Sequence, residues 1–433
     1  MDAQVLNAQS PPRRLREAHA HLPWLGRALD MLSLEDCGSA SEAIDRLAAR
    51  AAATPPGAWV QAHSARVAGW SEGGWFDRSE LDRVTGQTPT LAMSFDHHAV
   101  FANSAALLRA GIGPGTPDPA GGIIARDRNG EPTGLLLEAA AFSTWALAPE
   151  PPESSRSELI ARAAAHLEGL GFVEAHDLFA PDWLGPLLAD LVRSGRTGLR
   201  FGLYVPLDAI ETADAGRKAW ESDRLRLLGG KIFTDGTLNS RTAWMLEPYL
   251  DAPPGLDLGK PLMRAGEIAA AIERCSRLGH GIAMHAIGDG AVRACLDGIE
   301  IRQRAAGARG LKPDVRIEHC ELIARSDIAR FADLGVIASV QPCHLLADIE
   351  ALRAGVGDRL DRVMPWRDLL EAGLEPGKTL LFGSDVPVVR AEPEDSIRAA
   401  VARRRAGSEL AIAPEQAIGE PDAWACFGGT ARA

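Results

Sequence analysis

Short apolar runs alternate with helix-like stretches over most of the chain, from residue 155 to the C-terminal end. Each run is rich in Val, Ile, Leu or Phe and has the length of a strand, which is typical of buried parallel strands. One more such run lies near the N-terminus, and eight β–α units are the number that closes a barrel. The pattern therefore predicts the α/β class, with a (β/α)8 TIM barrel. The runs are 15–22, 171–179, 198–206, 225–236, 280–288, 314–322, 335–342 and 379–387.

The segment 39–150 departs from this rhythm. It is rich in Gly, Pro and Trp, shows no clean β–α alternation, and contains an apparent hairpin over 121–138. We interpret the segment as one long insertion between the first and second barrel strands. A loop after strand one emerges at the C-terminal face of a barrel, so we expect the insertion to cap the barrel mouth. The predicted organisation is a single barrel over 1–433 that carries this cap.

The negative net charge of the chain limits the kinds of molecule that it is expected to bind. The chain has 46 Lys and Arg residues against 58 Asp and Glu residues, which gives a formal net charge of −12. An acidic surface repels phosphate groups, so neither a nucleic acid nor a membrane surface is expected as a partner. A hydrophobic fraction of 46% supports a substantial core and excludes disorder as the main state. We expect a small-molecule substrate and leave a homo-oligomer open.

The cellular compartment is predicted from signals that the sequence lacks. No apolar run approaches the roughly 18 residues that span a bilayer, and the N-terminal charges are not followed by the apolar segment of a secretory signal. The six cysteines are scattered without a Cys-x-x-Cys pair, a spacing that favours reduced thiols. A cytoplasmic protein is therefore expected.

Side chains that can bind a metal occur within the predicted strands or at their C-terminal ends. His19 and His21 stand two residues apart, so a strand places both imidazoles on the same face. Barrel enzymes carry catalytic side chains at the C-terminal ends of their strands. Imidazole and carboxylate groups suit a borderline divalent cation such as zinc. The other candidates are Lys231, His285, His319 and Asp385.

These residues resemble the metal-binding set of the amidohydrolase superfamily of metal-dependent hydrolases. The ordered set His-x-His, Lys, His, His and Asp falls on predicted strands one, four, five, six and eight. The surrounding sequence is similar to the branch of N-substituted formamide deformylase, amidohydrolase family 3. That similarity runs from Ala18 onward and includes the insertion. The segments that carry it are 96–112, 121–138, 229–249, 285–292, 316–323 and 383–388.

The resemblance implies a centre of one or two divalent metal ions, with zinc as the expected metal. His19, His21 and Asp385 would bind one ion, and His285 and His319 would bind a second. Two such ions can share a hydroxide and lower its pKa towards neutrality. The resemblance therefore implies hydrolysis by a metal-activated hydroxide.

Two residues carry further roles by the same resemblance. Lys231, carboxylated on its amine by carbon dioxide, would bridge the two ions, because a carbamate supplies anionic oxygens where an ammonium would repel the metals. Its apolar surroundings from Leu227 to Phe233 favour a neutral amine, since burial lowers the pKa of a lysine. Asp385 would be the catalytic residue, taking a proton from the hydroxide and delivering it to the leaving amine.

The sequence also departs from the family pattern. Family members usually carry a longer segment before His-x-His and a C-terminal tail, which together form a small β-sandwich. Only 18 residues precede His19 here, so we expect that sandwich to be absent. Glu17 stands where an aspartate is usual, Asn239 where a glycine is usual, and Gly290 where an arginine is usual. These changes affect the substrate site more than the metal chemistry.

Four polar residues are candidates for contact with the substrate, and three of them have a structural alternative. His98 lies in the insertion, where a structural hydrogen bond is an equal interpretation. His176 ends the second strand and either lines the pocket or supports the ligands. Arg241 follows strand four and binds an anionic group or forms an ion pair that orders its loop. Gln341 follows strand seven near the expected pocket.

The sequence thus predicts a metal-dependent hydrolase of a C–N bond in an amide or N-formyl compound. Ester or lactone hydrolysis at the same metals is an alternative, because attack on a carbonyl does not fix the leaving group. A catalytically inactive barrel that binds a ligand is a second alternative. The presence of all six ligand candidates argues against that loss of activity.

Overall fold

The computed structural model describes residues 14–95, 98–119, 121–253, 255–306, 314–405 and 407–428. The chain divides into two compact units. The first joins the residues up to Leu25 with those from Ile160 onward, and the second is Gly26–Leu159. Each unit has its own sheet. None of the helices in the described ranges has the length and apolar character needed to cross a membrane.

The second unit follows strand β1 (Leu15–Ala20) and helix α1 (Leu22–Ala28) along the chain. Its elements are β2 (Leu32–Ser33), α2 (Ala40–Ala53), β3 (Val60–Ala65), α3 (Arg78–Thr85), β4 (Thr90–Ser94), β5 (Ala99–Ala102), α4 (Ser104–Arg109), β6 (Gly122–Arg126), β7 (Pro132–Glu138) and α5 (Ala139–Trp145). They form a six-stranded sheet in the order β2-β3-β4-β5-β7-β6. Strands β2, β3 and β4 are parallel, and the other neighbours are antiparallel.

Local sequence explains the second unit in part. The hairpin expected over 121–138 is confirmed, since β6 pairs with β7 in antiparallel register. The expectation of no β–α alternation is wrong for 32–94, where α2 and α3 connect parallel strands. Helix α2 is capped by Ser39, whose hydroxyl accepts a hydrogen bond from the amide of Glu42. The helix buries Ile44 and Leu47. Because β2 has only two residues, it leaves no apolar run to recognise.

The first unit is an eight-stranded barrel. Its later strands are β8 (Phe172–Asp177), β9 (Arg200–Pro206), β10 (Leu225–Phe233), β11 (Gly281–Ala286), β12 (Val315–His319), β13 (Ile337–Val340) and β14 (Leu380–Phe382). The order is β1-β8-β9-β10-β11-β12-β13-β14, and every pair in it is parallel. The first and last strands meet just beyond β14, where the His21 amide donates to the Val386 carbonyl at 3.0 Å. The predicted α/β barrel is confirmed.

Helices alternate with these strands and bury apolar faces. They are α6 (Arg156–Gly169), α7 (Leu184–Arg193), α8 (Ile210–Gly216), α9 (Ala265–Arg277), α10 (Asp289–Ala306), α11 (Ile328–Leu334), α12 (Pro342–Ala347), α13 (Ile349–Val356), α14 (Trp366–Glu371), α15 (Pro393–Ala402) and α16 (Glu420–Cys426). In α9 the buried Ile268, Ile272 and Cys275 recur at helical spacing. One continuous core therefore joins helices and strands. The expectation that 39–150 caps the barrel mouth stays a prediction.

Candidate metal centre

The six candidate ligands lie together in one cavity of about 480 Å³ in the barrel unit. They come from separate parts of the chain and meet because parallel barrel strands end at one face. His19 and Lys231 belong to β1 and β10, and His285 and His319 to β11 and β12. The residues that line the cavity are His19, His21, Pro23, Trp24, Asp177, Phe179, Pro181, Lys231, Phe233, His285, His319, Asp385 and Val388.

Asp385 is the point at which three of these side chains converge. Its Oδ1 lies 3.0 Å from Nε2 of His21 and 3.3 Å from Nε2 of His19. Its amide donates to the His19 carbonyl at 2.8 Å, which ties this loop to the first strand. Ligand atoms of His19, His319 and Asp385 lie within 4.8 Å of one another. One cation could therefore contact all three.

The backbone turns His319 towards this centre. Successive side chains of a regular strand point to opposite faces, yet Glu318 contacts His19 and the adjacent His319 also lines the cavity. His319 has φ 72° and Cys320 has φ 50°, both in the left-handed region. That conformation is costly for residues other than glycine. The end of β12 therefore breaks its alternation where a ligand is needed.

The hydrogen bonds of two imidazoles leave lone pairs available. Nδ1 of His19 lies 2.8 Å from Oε2 of Glu318, so it donates its proton there and its Nε2 presents a lone pair to Asp385. Nε2 of His285 donates to the Gly236 carbonyl at 3.1 Å, which leaves Nδ1 as the acceptor. A lone pair that faces a carboxylate oxygen is repulsive without a cation between them.

The charge states fit a metal centre. Burial lowers the pKa of His19 to about 4 and that of His285 to about 3, so both rings are neutral at pH 7. Burial also lowers the pKa of His319. Burial alone would raise the pKa of Asp385, but the imidazoles of His19 and His21 hold it well below its usual range. Neutral nitrogens around one carboxylate form a donor set that suits a divalent cation.

Unsatisfied atoms support the same conclusion. Nδ1 of His319 and Oδ1 of Asp385 are buried and make no hydrogen bond of acceptable geometry within the described residues. Buried polar atoms without a partner cost free energy and are rare in native proteins. The residues present therefore fit a bound divalent metal ion.

Lys231 is a buried amine that forms no direct ion pair with any residue in the described ranges. The side chain is 2% exposed, and its nitrogen has neither a hydrogen bond nor an ion pair with any residue that the structure describes. Its nearest charged neighbours act at longer range. Burial lowers the pKa of Lys231 to about 8, while the carboxylates of Glu318 and Asp385 oppose that change. A neutral amine is accordingly accessible near physiological pH.

A second group of potential ligands shares His319. Ligand atoms of His319, Glu321 and His344 also lie within 4.8 Å of one another. Burial alone would lower the pKa of His344, but its contacts with Glu321 and other carboxylates raise it to about 9. A protonated imidazole offers no lone pair. The first group, with His19 and Asp385, is therefore the better metal centre.

Two carboxylates that sequence reasoning did not assign to the site hold its loops. Asp235 accepts hydrogen bonds from the amides of Trp244 at 2.9 Å, Ile287 at 3.1 Å and Gly288 at 2.9 Å. It thereby joins the loop after β10 to the loop after β11. Its position four residues after Lys231, at the end of an apolar run, is the signal that could have found it.

Glu17 joins the first and last strands. Its Oε1 accepts from the amides of His19 at 3.0 Å and Ser384 at 2.9 Å, and its Oε2 accepts from the Ser384 hydroxyl at 2.9 Å. Burial raises the pKa of Glu17 to about 7. This residue therefore holds the His19 backbone next to the loop that carries Asp385.

The candidate substrate residues occupy different environments. His176 is buried between Glu174, 2.9 Å from its Nε2, and Arg316, which donates to its Nδ1 at 3.0 Å. Gln341 is buried, with its amide nitrogen 3.1 Å from Nδ1 of His19. Neither residue is part of the cavity lining, so direct contact with the substrate stays a prediction for both.

The other two candidates are engaged in contacts of their own. The Arg241 guanidinium binds both carboxylate oxygens of Asp251, at 2.6 and 2.5 Å, and also donates to the Leu238 carbonyl. This geometry matches the alternative in which an ion pair orders the loop. His98 belongs to the second unit, where its Nδ1 lies 2.9 Å from Glu138. Its role in substrate binding also stays a prediction.

The fold and the site together define a barrel protein with a candidate metal centre at its strand ends. The sequence profile described as "Amidohydrolase family" matches residues 15–419, and the chain belongs to that family. The protein is therefore a metal-dependent hydrolase by family.

Individual relatives agree with this assignment. The chain is 29% identical to Protein LONG AFTER FAR-RED 3 of Arabidopsis thaliana, over 94% of the chain and 71% of the relative. It is 27% identical to N-substituted formamide deformylase of Arthrobacter pascens, over 93% of the chain and 75% of the relative. A crystal structure of an uncharacterized metal-dependent hydrolase from Pyrococcus horikoshii OT3 matches with a TM-score of 0.71 and 26% identity, covering 95% of this chain and 78% of that one.

These similarities confirm the family that the motifs predicted. The narrower branch stays a prediction, because the deformylase shares only 27% of its aligned residues with this chain.

Proposed function

We propose that the protein hydrolyses a C–N bond in an amide or N-formyl compound. The observation that carries this proposal is the convergence of four imidazoles, the buried Lys231 and the carboxylate of Asp385 on one cavity. The name of the Arthrobacter pascens relative, a deformylase of N-substituted formamides, agrees with the same bond type. Family membership alone is compatible with several bonds.

The proposed assignment follows the strands. His19, His21 and Asp385 would hold one divalent cation, and His285 and His319 would hold a second, with zinc as the proposed metal. When bound, these ions would polarise the substrate carbonyl and make a water molecule acidic enough to act as nucleophile near neutral pH.

Lys231, carboxylated by carbon dioxide, would supply further oxygen ligands to the metal in this proposal. The neutral amine would attack the carbon of carbon dioxide, a N–C bond would form as one C–O π bond opens towards oxygen, and the nitrogen would release one proton to solvent. The product would carry one negative charge over two oxygens, which are anionic ligands that the amine itself does not supply. The pKa of about 8 makes the reactive form accessible.

In this proposal Asp385 transfers a proton from the nucleophile to the leaving amine. Its carboxylate is ionised, because the neighbouring imidazoles lower its pKa, so it can accept a proton from the nucleophile at Oδ1. The same oxygen then donates that proton to the nitrogen of the leaving amine. Its position next to both His19 and His21 keeps it at the centre throughout.

The walls of the cavity would hold the rest of the substrate. Pro23, Trp24, Phe179, Phe233 and Val388 contribute apolar surface beside the polar centre. Phe179 and Phe233 are 45% and 42% exposed in spite of their size. A small molecule with an apolar group next to its amide fits this surface.

A substrate panel tests the bond type. Matched N-formyl, N-acetyl and ester derivatives of one aromatic amine or alcohol are assayed with zinc-loaded protein, with chelator-treated protein, and after zinc is restored. The proposal expects amide or formamide turnover that chelation removes and zinc restores. Turnover of the ester alone would assign the centre to ester hydrolysis, and no turnover of any compound by loaded protein would count against the proposal.

A further inference from the structure

A buried chain of polar side chains lies directly behind His19. Glu318 is fully buried, and its Oε2 is 2.8 Å from Nδ1 of His19. On its other side, Oε1 is 2.9 Å from Nε of Arg316 in an ion pair. A carboxylate therefore stands between a proposed metal ligand and a buried guanidinium.

Arg316 is itself fixed from several directions. It donates to the Ala18 carbonyl and to the Ser339 hydroxyl, both at 2.8 Å, and to Nδ1 of His176 at 3.0 Å. Its guanidinium also lies 5.1 Å from the centre of the Tyr204 ring. These contacts come from strands β1, β8, β9 and β13, so four of the eight barrel strands hold this one side chain.

We infer that Glu318, held by Arg316, is a positioning residue that fixes the tautomer and orientation of His19 for metal binding. The inference rests on the proposed metal function. An imidazole that donates Nδ1–H to a carboxylate must present the lone pair of Nε2, which is the nitrogen that faces Asp385. Ligating histidines are commonly oriented in this way, and loss of such partners typically weakens metal binding about 10–100-fold.

Gln341 offers the competing arrangement. Its Nε2 lies 3.1 Å from Nδ1 of His19, and a hydrogen bond donated from that nitrogen would require the opposite tautomer. The closer and charged Glu318 decides against it, because a carboxylate cannot donate. Oε1 of Gln341 is buried and makes no hydrogen bond with the residues that the structure describes. A half-turn of the amide would bring that oxygen to the ring proton.

The variant Glu318→Gln tests the inference, since it keeps the volume of the side chain, removes its charge and replaces one acceptor oxygen with a donor. If its amide oxygen faces Arg316, its NH2 group faces Nδ1 of His19 and imposes the wrong tautomer. Glu174→Gln is the matched control, because Glu174 contacts His176 in the same network but no proposed ligand. Zinc affinity is measured on each full-length, chelator-treated chain by competition with a chromophoric chelator.

We expect zinc affinity to fall about 10–100-fold in Glu318→Gln and to stay within about threefold of the parent in Glu174→Gln, with far-UV dichroism unchanged in both. Equal affinity of Glu318→Gln and the parent, or an equal loss in both variants, would overturn the inference. Absence of zinc binding by the parent would instead overturn the proposed function on which it rests.

A measurement on the parent covers the case in which Glu318→Gln does not fold. Long-range proton–nitrogen NMR of the metal-free chain, with labelled histidines, distinguishes the two tautomers. The His19 signal is assigned by its loss in His19→Asn. Protonation at Nδ1 is the expected result, and protonation at Nε2 would refute the positioning role.

Discussion

Burial of Lys231 has opposite effects on the stability of the folded protein and on the reactivity of the amine. A cationic side chain in the barrel interior destabilises the folded state, because burial disfavours its charge more than the carboxylates of Glu318 and Asp385 favour it. The same burial makes the amine neutral and nucleophilic near pH 8. The metal-free protein therefore carries a cost that the proposed carbamate and its metals would remove.

Replacement of Lys231 by methionine should separate these effects. We expect turnover to fall about 100-fold and the second metal ion to be lost, because the bridging ligand is gone while the histidines remain. Elemental analysis and the amide assay measure both. Lys378→Met, at a side chain that is 72% exposed, is the control. Full metal occupancy with near-normal turnover in Lys231→Met would show that Lys231 is not a ligand.

The difference in unfolding free energy between Lys231→Met and the parent should depend on pH. The pKa of Lys231 falls from 10.5 to about 8 on folding, so below pH 8 the buried charge destabilises the metal-free parent by on the order of 3 kcal/mol. This cost fades as pH rises from 8 to 10.5, because the folded chain loses its proton first. Lys231→Met should thus exceed the parent in unfolding free energy at pH 7, by a margin that shrinks towards pH 10.5.

Urea unfolding of both chains in metal-free buffer purged of carbon dioxide measures this difference. A margin that is constant between pH 7 and pH 10.5 would mean that the pKa of Lys231 is not lowered by burial.

At the scale of elements, strands β10 and β11 show how closely the barrel wall is packed. A Cβ atom added to Gly229 would overlap the carbonyl of Gly281 on the neighbouring strand. These strands carry Lys231 and His285, whose backbones are in register with Ala283 and Phe233. Glycine at 229 therefore lets the two ligand strands approach each other.

Gly229→Ala should accordingly lower the free energy of unfolding by about 1–3 kcal/mol, since overpacking forces the strands apart. Gly266→Ala is the matched control. Gly266 lies in α9 with nothing within 4 Å of an added Cβ, and alanine there should stabilise by about 0.5–1 kcal/mol. Denaturant titration gives both values. A neutral effect of Gly229→Ala would contradict the close packing.

The barrel strands were predictable because parallel strands covered on both faces appear as continuous apolar runs. The first three strands of the second unit were not predictable. Strand β2 has only two residues, and the sheet of this unit combines parallel and antiparallel pairs. The ligands stood out as polar residues at strand ends. Glu318 and Arg316 did not, although two charges at alternate positions of an apolar strand were a visible signal. Their role depends on His19, nearly 300 positions away in the chain.

At the scale of the whole molecule, metal binding should contribute to stability. Ligands that bind only the folded state stabilise it by about 4 kcal/mol when present at 1,000 times their dissociation constant. The candidate ligands come from five strands or their ends, so bound ions would connect these five strands to one another. We expect chelation to lower the melting temperature and zinc to restore it.

The Lys231→Met chain provides the comparison for that experiment. It should show a smaller change in melting temperature on zinc addition, because it lacks the bridging ligand. An identical melting temperature of the parent with and without bound zinc would show that the centre does not couple to folding.

In the proposed function, six residues from distant parts of the chain hold divalent metal in the barrel. The zinc content of the full-length protein, after reconstitution and removal of free metal, tests this most directly beside a variant with His19 and His285 both replaced by alanine. We predict about two equivalents per chain in the parent and a loss of most of that zinc in the variant. Zinc-free parent protein, or the same zinc content in both chains, would contradict it.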